Sequence, residues 1–363
     1  MSKLFNEFSP VSLTAWKEKI QTDLKGADYR EKIVSRIQEI EISAIYNKEN
    51  SPQNNPINST RDWDIYQLID GSNPSKANNS ALKALANGAT GLCIDNPNDL
   101  DTIFNDILIQ HIRVDFRKYS SSTLRDFEML IQKRGLDKQS IKGAFHGKEN
   151  GNLPNFFYNS ILAKGKTAKQ QIVDALKQGK KYQEKKQFVF SVGSNYFLEI
   201  AKLRAFRILW KQETGENPYI FAQNELKNKT EKFAYNNLLR STTEGLSAIF
   251  GGCDGLLIFP YNHSFEATNE FCERIARNQQ NILKEESYLN KVQDPGAGAY
   301  YIESLTAELL KEFEVETDSK LSPLKIEKWL TPEKIEVNSV YFSSDLQETE
   351  HTNFVSGIAP NLR

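Results

Sequence analysis

The spacing of apolar residues changes character along the chain. Trp16, Ile20 and Leu24 recur every fourth residue among polar neighbours, and Gly26 follows them. That pattern predicts a one-sided helix ending at a residue suited to positive φ. A short β-prone stretch, residues 40–46 (IEISAIY), comes next, followed by 47–60, which is rich in Asn, Ser and Pro and has no period. It reads as a linker, so the main domain is expected to begin near Arg61. From there, short β-branched or aromatic runs alternate with longer helical stretches. The runs are 63–70, 89–95, 112–116, 141–146, 155–159, 187–192, 219–223 and 255–260. Helical spacing occupies 80–87, 100–110, 122–134, 167–182, 197–212, 232–250 and 271–286.

Phe188, Val189 and Phe190, and Leu256 to Phe259, are continuous apolar runs, as expected of parallel strands covered on both faces. Eight strand-then-helix units over about 250 residues predict a (β/α)8 TIM-type barrel, with a doubly wound sheet as the alternative. The expected organisation is an N-terminal helical and extended arm (1–60), the barrel (61–316) and an extended C-terminal tail (317–363). In the 197–210 helix, Phe197, Ile200, Ala201, Ala205, Ile208 and Leu209 form the inward stripe, with Lys202 and Lys211 expected outside. The tail holds an internal repeat: residues 335–341 (IEVNSVY) echo 40–46, as though a second pre-barrel segment were beginning.

Composition then narrows the function. Lys plus Arg is 46 against 47 for Asp plus Glu, a net charge of −1, which gives no field to gather nucleic acid or an anionic membrane. The first residues lack an apolar signal region and no 18-residue apolar run occurs, so a cytoplasmic protein is expected. Cys93, Cys253 and Cys272 are scattered, without a CxxC, and suit buried reduced thiols better than disulfides or zinc.

Candidate chemistry is sparse. Residues 294–300 (DPGAGAY) resemble a phosphate loop but lack its Lys-Ser/Thr ending, and read as a Gly/Pro turn. Gly251 and Gly252 are expected to relieve crowding before the last strand. The Lys-rich stretch 177–186 ends a helix, where cations meet the negative pole and stay solvated. Of His111, His146, His263 and His351, two follow predicted strands at the end where barrel enzymes work: His146 and His263. No metal-ligand spacing, GxSxG elbow or GxGxxG loop accompanies them.

Longer segments carry more. Residues 197–210 (FLEIAKLRAFRILW), 236–244 (NNLLRSTTE), 274–279 (RIARNQ) and 294–306 (DPGAGAYYIESLT) resemble signature segments of the methylmalonyl-CoA mutase family. The opening, 4–8 (LFNEF) with Trp16 and 24–28 (LKGAD), is similar to that family's small, non-catalytic subunit, and the likeness runs to about Phe313. The tail, 329–335 (WLTPEKI) through 357–363 (GIAPNLR), instead resembles the start of the large catalytic subunit, which in the family runs on into an Arg-Gly-Pro-Tyr segment of the coenzyme A channel; the chain reaches Arg363 without it.

The resemblance implies an adenosylcobalamin-dependent rearrangement between methylmalonyl-CoA and succinyl-CoA, with cobalamin held by a flavodoxin-like domain through an Asp-x-His-x-x-Gly segment. These 363 residues contain no such segment, so adenosylcobalamin is expected on a partner chain, the large catalytic subunit of a heterodimer. Alignment on Ala175, Leu176, Gly179 and Gly165 puts the family's catalytic Tyr-His pair on Asn159 and Ser160. The expectation is therefore a non-catalytic barrel with no catalytic, cofactor or metal residues of its own, its arm helix laying Trp16, Ile20 and Leu24 on the partner. The alternatives are an acyl-CoA mutase barrel using His146 or His263 with a separate cobalamin-binding chain, and the front portion of one fused polypeptide.

Overall fold

A computed structural model describes residues 7–52, 56, 57, 59, 61–182, 185–311, 313, 326–346, 355, 358 and 359. The arm begins with α1 (Leu13–Asp23), started by Ser12, whose hydroxyl accepts from the Ala15 amide, and α2 (Tyr29–Ile33), started by Asp28. Trp16 is buried, its ring edge-on to Tyr29 at 6.1 Å, so the apolar face expected to meet a partner is partly closed within the chain. Strands β1 (Ser35–Ile37) and β2 (Ile40–Ile42) then form an antiparallel hairpin.

The barrel follows. Its first half is β3 (Asp64–Asp70), α3 (Pro74–Ala86), β4 (Gly91–Asp95), α4 (Leu100–Ile103), β5 (Arg113–Arg117), α5 (Thr123–Lys133) and β6 (Lys142–Phe145). The second half is β7 (Phe156–Phe157), β8 (Asn159–Leu162), α6 (Ala168–Gly179), β9 (Lys186–Val192), α7 (Tyr196–Thr214), β10 (Tyr219–Asn224), α8 (Asn236–Phe250), β11 (Gly255–Leu257) and α9 (Glu270–Asn281). Helix α9 runs on through a π turn, Ile282–Glu286, and α10 (Tyr300–Leu310) packs on α7. A second antiparallel hairpin, β12 (Lys328–Leu330) and β13 (Glu336–Asn338), comes last.

All nine central segments pair in parallel, in the order β7-β6-β5-β4-β3-β11-β10-β9-β8. Segments β7 and β8 are one strand interrupted at Tyr158, the first half paired to β6 and the second to β9. That interrupted strand brings the sheet round on itself, so the (β/α)8 barrel is the observed fold. Two apolar clusters lie between strands and helices, and a third, Tyr66, Cys93, Val189, Phe221, Leu257 and Phe259, fills the inside.

Several details differ from expectation. Helix α3 starts six residues early, at Pro74 behind the Asn73 cap, because proline at a first helical turn forfeits no hydrogen bond. The 232–250 stretch becomes helical only at Asn236. Lys202, expected outside, is 1% exposed, its Nζ donating to Gln171 Oε1 at 2.8 Å and the Ser191 carbonyl at 2.9 Å. The reason is that α6, α8 and α10 cover most of α7, so a periodic stripe cannot show which polar residues stay wet; Phe197, expected on the inward stripe, is instead 46% exposed in the helix's first turn. The expected boundary at 316/317, His351 and residues 4–6 lie outside the described residues.

One buried ion cluster pins these layers. Arg204 on α7 is fully buried and grips Asp294 with two hydrogen bonds, Nε to Oδ1 at 2.8 Å and Nη2 to Oδ2 at 3.0 Å. Its Nη2 also donates to Glu303 Oε1 on α10 at 3.0 Å, and Nη1 to Thr306 Oγ1 at 3.2 Å. Asp294 Oδ2 accepts from the Ile57 amide and Glu303 Oε1 from the Gly298 amide, tying the linker and the DPGAG loop to the same guanidinium. Arg204→Ala takes the cation away from two buried carboxylates, and urea unfolding should show a loss of about 3–5 kcal/mol. Lys19→Ala, which removes an exposed pair with Asp23, should cost less than about 1 kcal/mol; equal losses from the two variants would refute this ranking.

Candidate functional site

Strand alternation turns every second residue onto the barrel axis, so β3 contributes Asp64 and Tyr66, and β5 contributes Arg113, Asp115 and Arg117. Tyr66 lies across the neighbouring strands. Its ring carbons would be 2.8 Å from a Cβ at Gly91 of β4 and at Gly255 of β11, so both flanking positions must be glycine.

Polar groups on the axis are joined end to end. Arg113 Nε donates to Tyr66 Oη at 2.9 Å, and Tyr66 Oη donates to Asp115 Oδ1 at 3.0 Å. His146 Nε2 lies 2.8 Å from Asp115 Oδ2, the carboxylate oxygen that also accepts from Gln187 Nε2 at 3.2 Å. Gln187 Nε2 donates to Ser160 Oγ at 2.9 Å, and Ser160 Oγ donates to the Phe145 carbonyl at 2.6 Å. At the strand N-termini Arg113 lies 3.5 Å from Asp64 and 4.3 Å from the Tyr219 ring centroid, and Tyr219 Oη donates to Asp64 Oδ2. Burial raises the Asp64 carboxyl above its ordinary range against the pull of Arg113, and holds the Tyr66 and Tyr219 phenols well above theirs. A phenol kept protonated is the donor this chain of bonds requires.

The C-terminal mouth carries a second cluster. Asp95 is 5% exposed and pairs with Arg117 Nε at 3.3 Å and Lys118 Nζ at 2.6 Å. The Arg117 guanidinium sits 5.2 Å from the Phe259 ring centroid, and His263 stacks on the same ring at 5.0 Å. Burial lowers the His263 pKa; Asp95 opposes the shift, and Arg117 and Lys118 reinforce it.

The sequence-named residues thus separate. His146 and Ser160 meet through Gln187 inside the barrel, His263 stays at the mouth, and His111 lies at the opposite end, before β5. Asn159 is buried and pairs with Lys186 where β8 meets β9. All three cysteines are buried and free, and burial pushes the Cys93 and Cys253 thiols up. Asp294 serves Arg204, while Gly252 takes φ +80 where a Cβ would meet Ser59, so both glycine-bearing motifs are structural.

Asp115, Tyr66, Arg113 and Gln187 escaped sequence reading. A signal existed: in Arg113-Val-Asp-Phe-Arg117, charges alternate with apolar residues in a stretch flanked by helices. Such charges point either to water or onto a barrel axis.

The interior does not fit a long thioester threaded along the axis. Tyr66, Cys93, Asp115, Gln187, Phe221 and Leu257 are each at most 1% exposed, and the polar ones are bonded to one another. His146 Nε2 is held at Asp115 and the His263 ring stacks on Phe259; among the described residues no group of three metal-binding side chains occurs. Among those residues no helix is long and apolar enough to cross a membrane.

Comparison with known proteins gives this geometry a context. A family model described as methylmalonyl-CoA mutase matches residues 162–318. The methylmalonyl-CoA mutase small subunit of Porphyromonas gingivalis is 31% identical, over 85% of this chain and 63% of its own length. That of Streptomyces virginiae is 26% identical, over 69% of this chain and 50% of its own. The large subunit from P. gingivalis is 31% identical over 55% of this chain and 28% of its own. The chain therefore spans less than two thirds of the length of these relatives.

The lowered pKa of His263 fixes a pH dependence. Below about pH 6.5 the unfolded state takes up a proton that the folded state resists, so stability falls as the solution is acidified. Urea midpoints at pH 8 and pH 5 should therefore drop further for the natural chain than for His263→Gln; equal drops would contradict the burial described.

Proposed function

Over residues 162–318 the chain belongs to the methylmalonyl-CoA mutase family, and from this we propose that it is a small, non-catalytic subunit supporting a large catalytic subunit. The assembled heterodimer would interconvert methylmalonyl-CoA and succinyl-CoA in the cytoplasm. Adenosylcobalamin, which supplies the rearrangement chemistry, would sit on the partner.

The observation that carries the reading is the filled axis. A catalytic barrel of this kind needs room for a thioester and donors aimed at its carbonyl. Here the position aligned with the family's catalytic histidine is Ser160, and its hydroxyl hydrogen goes to the Phe145 carbonyl at 2.6 Å while Gln187 occupies its oxygen. The centre holds Tyr66 and Phe221, ring centroids 4.9 Å apart, where substrate would have to pass. Asp115 and His146, which in an open cleft would suit proton transfer, satisfy each other at 2.8 Å and stabilise the closed interior instead. A large partner accords with relatives named small and large subunit in one organism.

The alternative, a competent acyl-CoA mutase barrel with a separate cobalamin-binding chain, has His263 in its favour: it stands at the end where barrel enzymes work, beside Arg117 and Lys118. One experiment separates the two. The chain is produced alone and together with a large subunit of the family, and methylmalonyl-CoA turnover is assayed with adenosylcobalamin. Background turnover alone, with co-purification and turnover on co-expression, is the expected result. Turnover by the isolated chain that His263→Gln abolishes would establish the alternative.

A further inference from the structure

The turn between β11 and α9 is closed on itself and rests on the barrel mouth at two points. Within it, the His263 amide donates to the Pro260 carbonyl at 2.9 Å, and the Phe265 and Glu266 amides donate to the Asn262 carbonyl. Asn262 Nδ2 reaches Glu266 Oε2 at 3.3 Å. Residues 266–271 are exposed as far as the first turn of α9. Towards the barrel, the turn is held at Tyr261, whose carbonyl accepts from Asn237 Nδ2 at 3.0 Å, and at His263, whose ring stacks on Phe259. Phe259 belongs to the filled axis: it is 2% exposed, and its amide donates to Asn224 Oδ1 at 2.7 Å. The base is therefore fixed, and the turn lies over it as a cap.

Two features leave that cap finely balanced. Asn262 is 1% exposed, yet its Oδ1 has no hydrogen-bond partner, and Arg117 Nη1 is buried in the same condition. Lifting the turn hydrates such groups, so closure carries a cost. The second feature is charge. Among the described residues, the charged groups acting on His263 are Asp95 at the end of β4 and Arg117 and Lys118 where β5 ends, and both cations already share that one carboxylate. Phe259 also takes Arg117, 5.2 Å from its centroid. A neutral imidazole lies flat on this ring, whereas an imidazolium meets a surplus of positive charge.

We propose that the turn 260–266 is a pH-sensitive cap on the C-terminal mouth, seated on Phe259 by neutral His263 and lifted when that imidazole is protonated. Burial, with Arg117 and Lys118 adding to it against Asp95, holds the folded pKa of His263 below its ordinary value. Closure is therefore undiminished above about pH 6.5 and weakens between that value and the lowered one. Lifting uncovers the pair Asp95 and Arg117 while Tyr66 and Phe221 keep the axis filled, so the device acts at the mouth and stands whichever subunit reading holds.

Hydrogen exchange of the full chain at pH 8 and pH 5, read by peptide mass and corrected for the intrinsic pH dependence of exchange, tests the cap. Peptides spanning 260–269 should exchange about three- to tenfold faster at pH 5, with β4 as protected as at pH 8. His263→Gln takes up no proton there and should remove the difference. Lys118→Gln, which deletes an exposed cation, should raise the His263 titration midpoint followed by NMR and shrink the difference. Equal exchange of the turn at the two pH values, the same difference in His263→Gln, or an unmoved midpoint in Lys118→Gln overturns the proposal. Loss of β4 protection together with the turn at pH 5 also overturns it, because the opening is then global.

Discussion

An eight-stranded parallel barrel leaves no choice about where alternate side chains go: they point at one another across a narrow axis and must fill it. The rest of this structure follows from how that space is filled. Large rings, Tyr66 and Phe221, take the centre, and the ionisable groups brought in with them bond to one another, Tyr66 to Asp115 and Arg113 to Tyr66. Arg113 lies among Asp64, Asp115 and two buried phenols and offsets part of the cost of burying the carboxylates, which also accept hydrogen bonds from Thr90, Tyr219, Tyr66 and Gln187. Glycines at 91 and 255 are the geometric counterpart, since the central ring fits only where its neighbours have no side chain.

A barrel filled in this way is stiff and closed, which bears directly on chemistry. Catalysis on an acyl thioester depends on donors waiting for a charge that develops on the substrate. In this axis the hydroxyl of Ser160, the amide nitrogen of Gln187 and the Nε2 of His146 already have protein partners and tie strands together, while Gln187 Oε1 is buried without one. The mouth differs: Lys118 reaches solvent there, paired with the buried Asp95 that Arg117 also meets, and His263 is partly buried on Phe259.

The segments that carry the family likeness serve the outer layer. Arg204 and Arg207 on α7, Glu244 on α8, and Asp294 and Glu303 at α10 are buried and paired, Arg207 with Asp254 and Glu244 with Lys229. They fasten helices, loop and linker around the sheet. Likeness at 197–210 and 294–306 speaks for the scaffold, and function has to be argued from the axis and the exposed surfaces.

Sequence alone determined the alternation of strands and helices, since each unit needs an apolar pattern of local period, and it showed residues 40–46 echoed at 335–341, with Ile, Glu and Tyr at the same spacing. It also placed Gly251, Gly252 and the three thiols in structural roles. Only the tertiary structure decided which side chains meet. Asp115 is 49 residues from Tyr66 and 72 from Gln187, and Arg204 is 90 from Asp294. Those pairings depend on the register at which the sheet closes, a property of all its strands together. For the same reason Lys202 looked solvated and is buried, and Trp16 looked free for a partner and is turned inward: a helical stripe marks which face is apolar, and the neighbours that pack around the helix decide what each face touches.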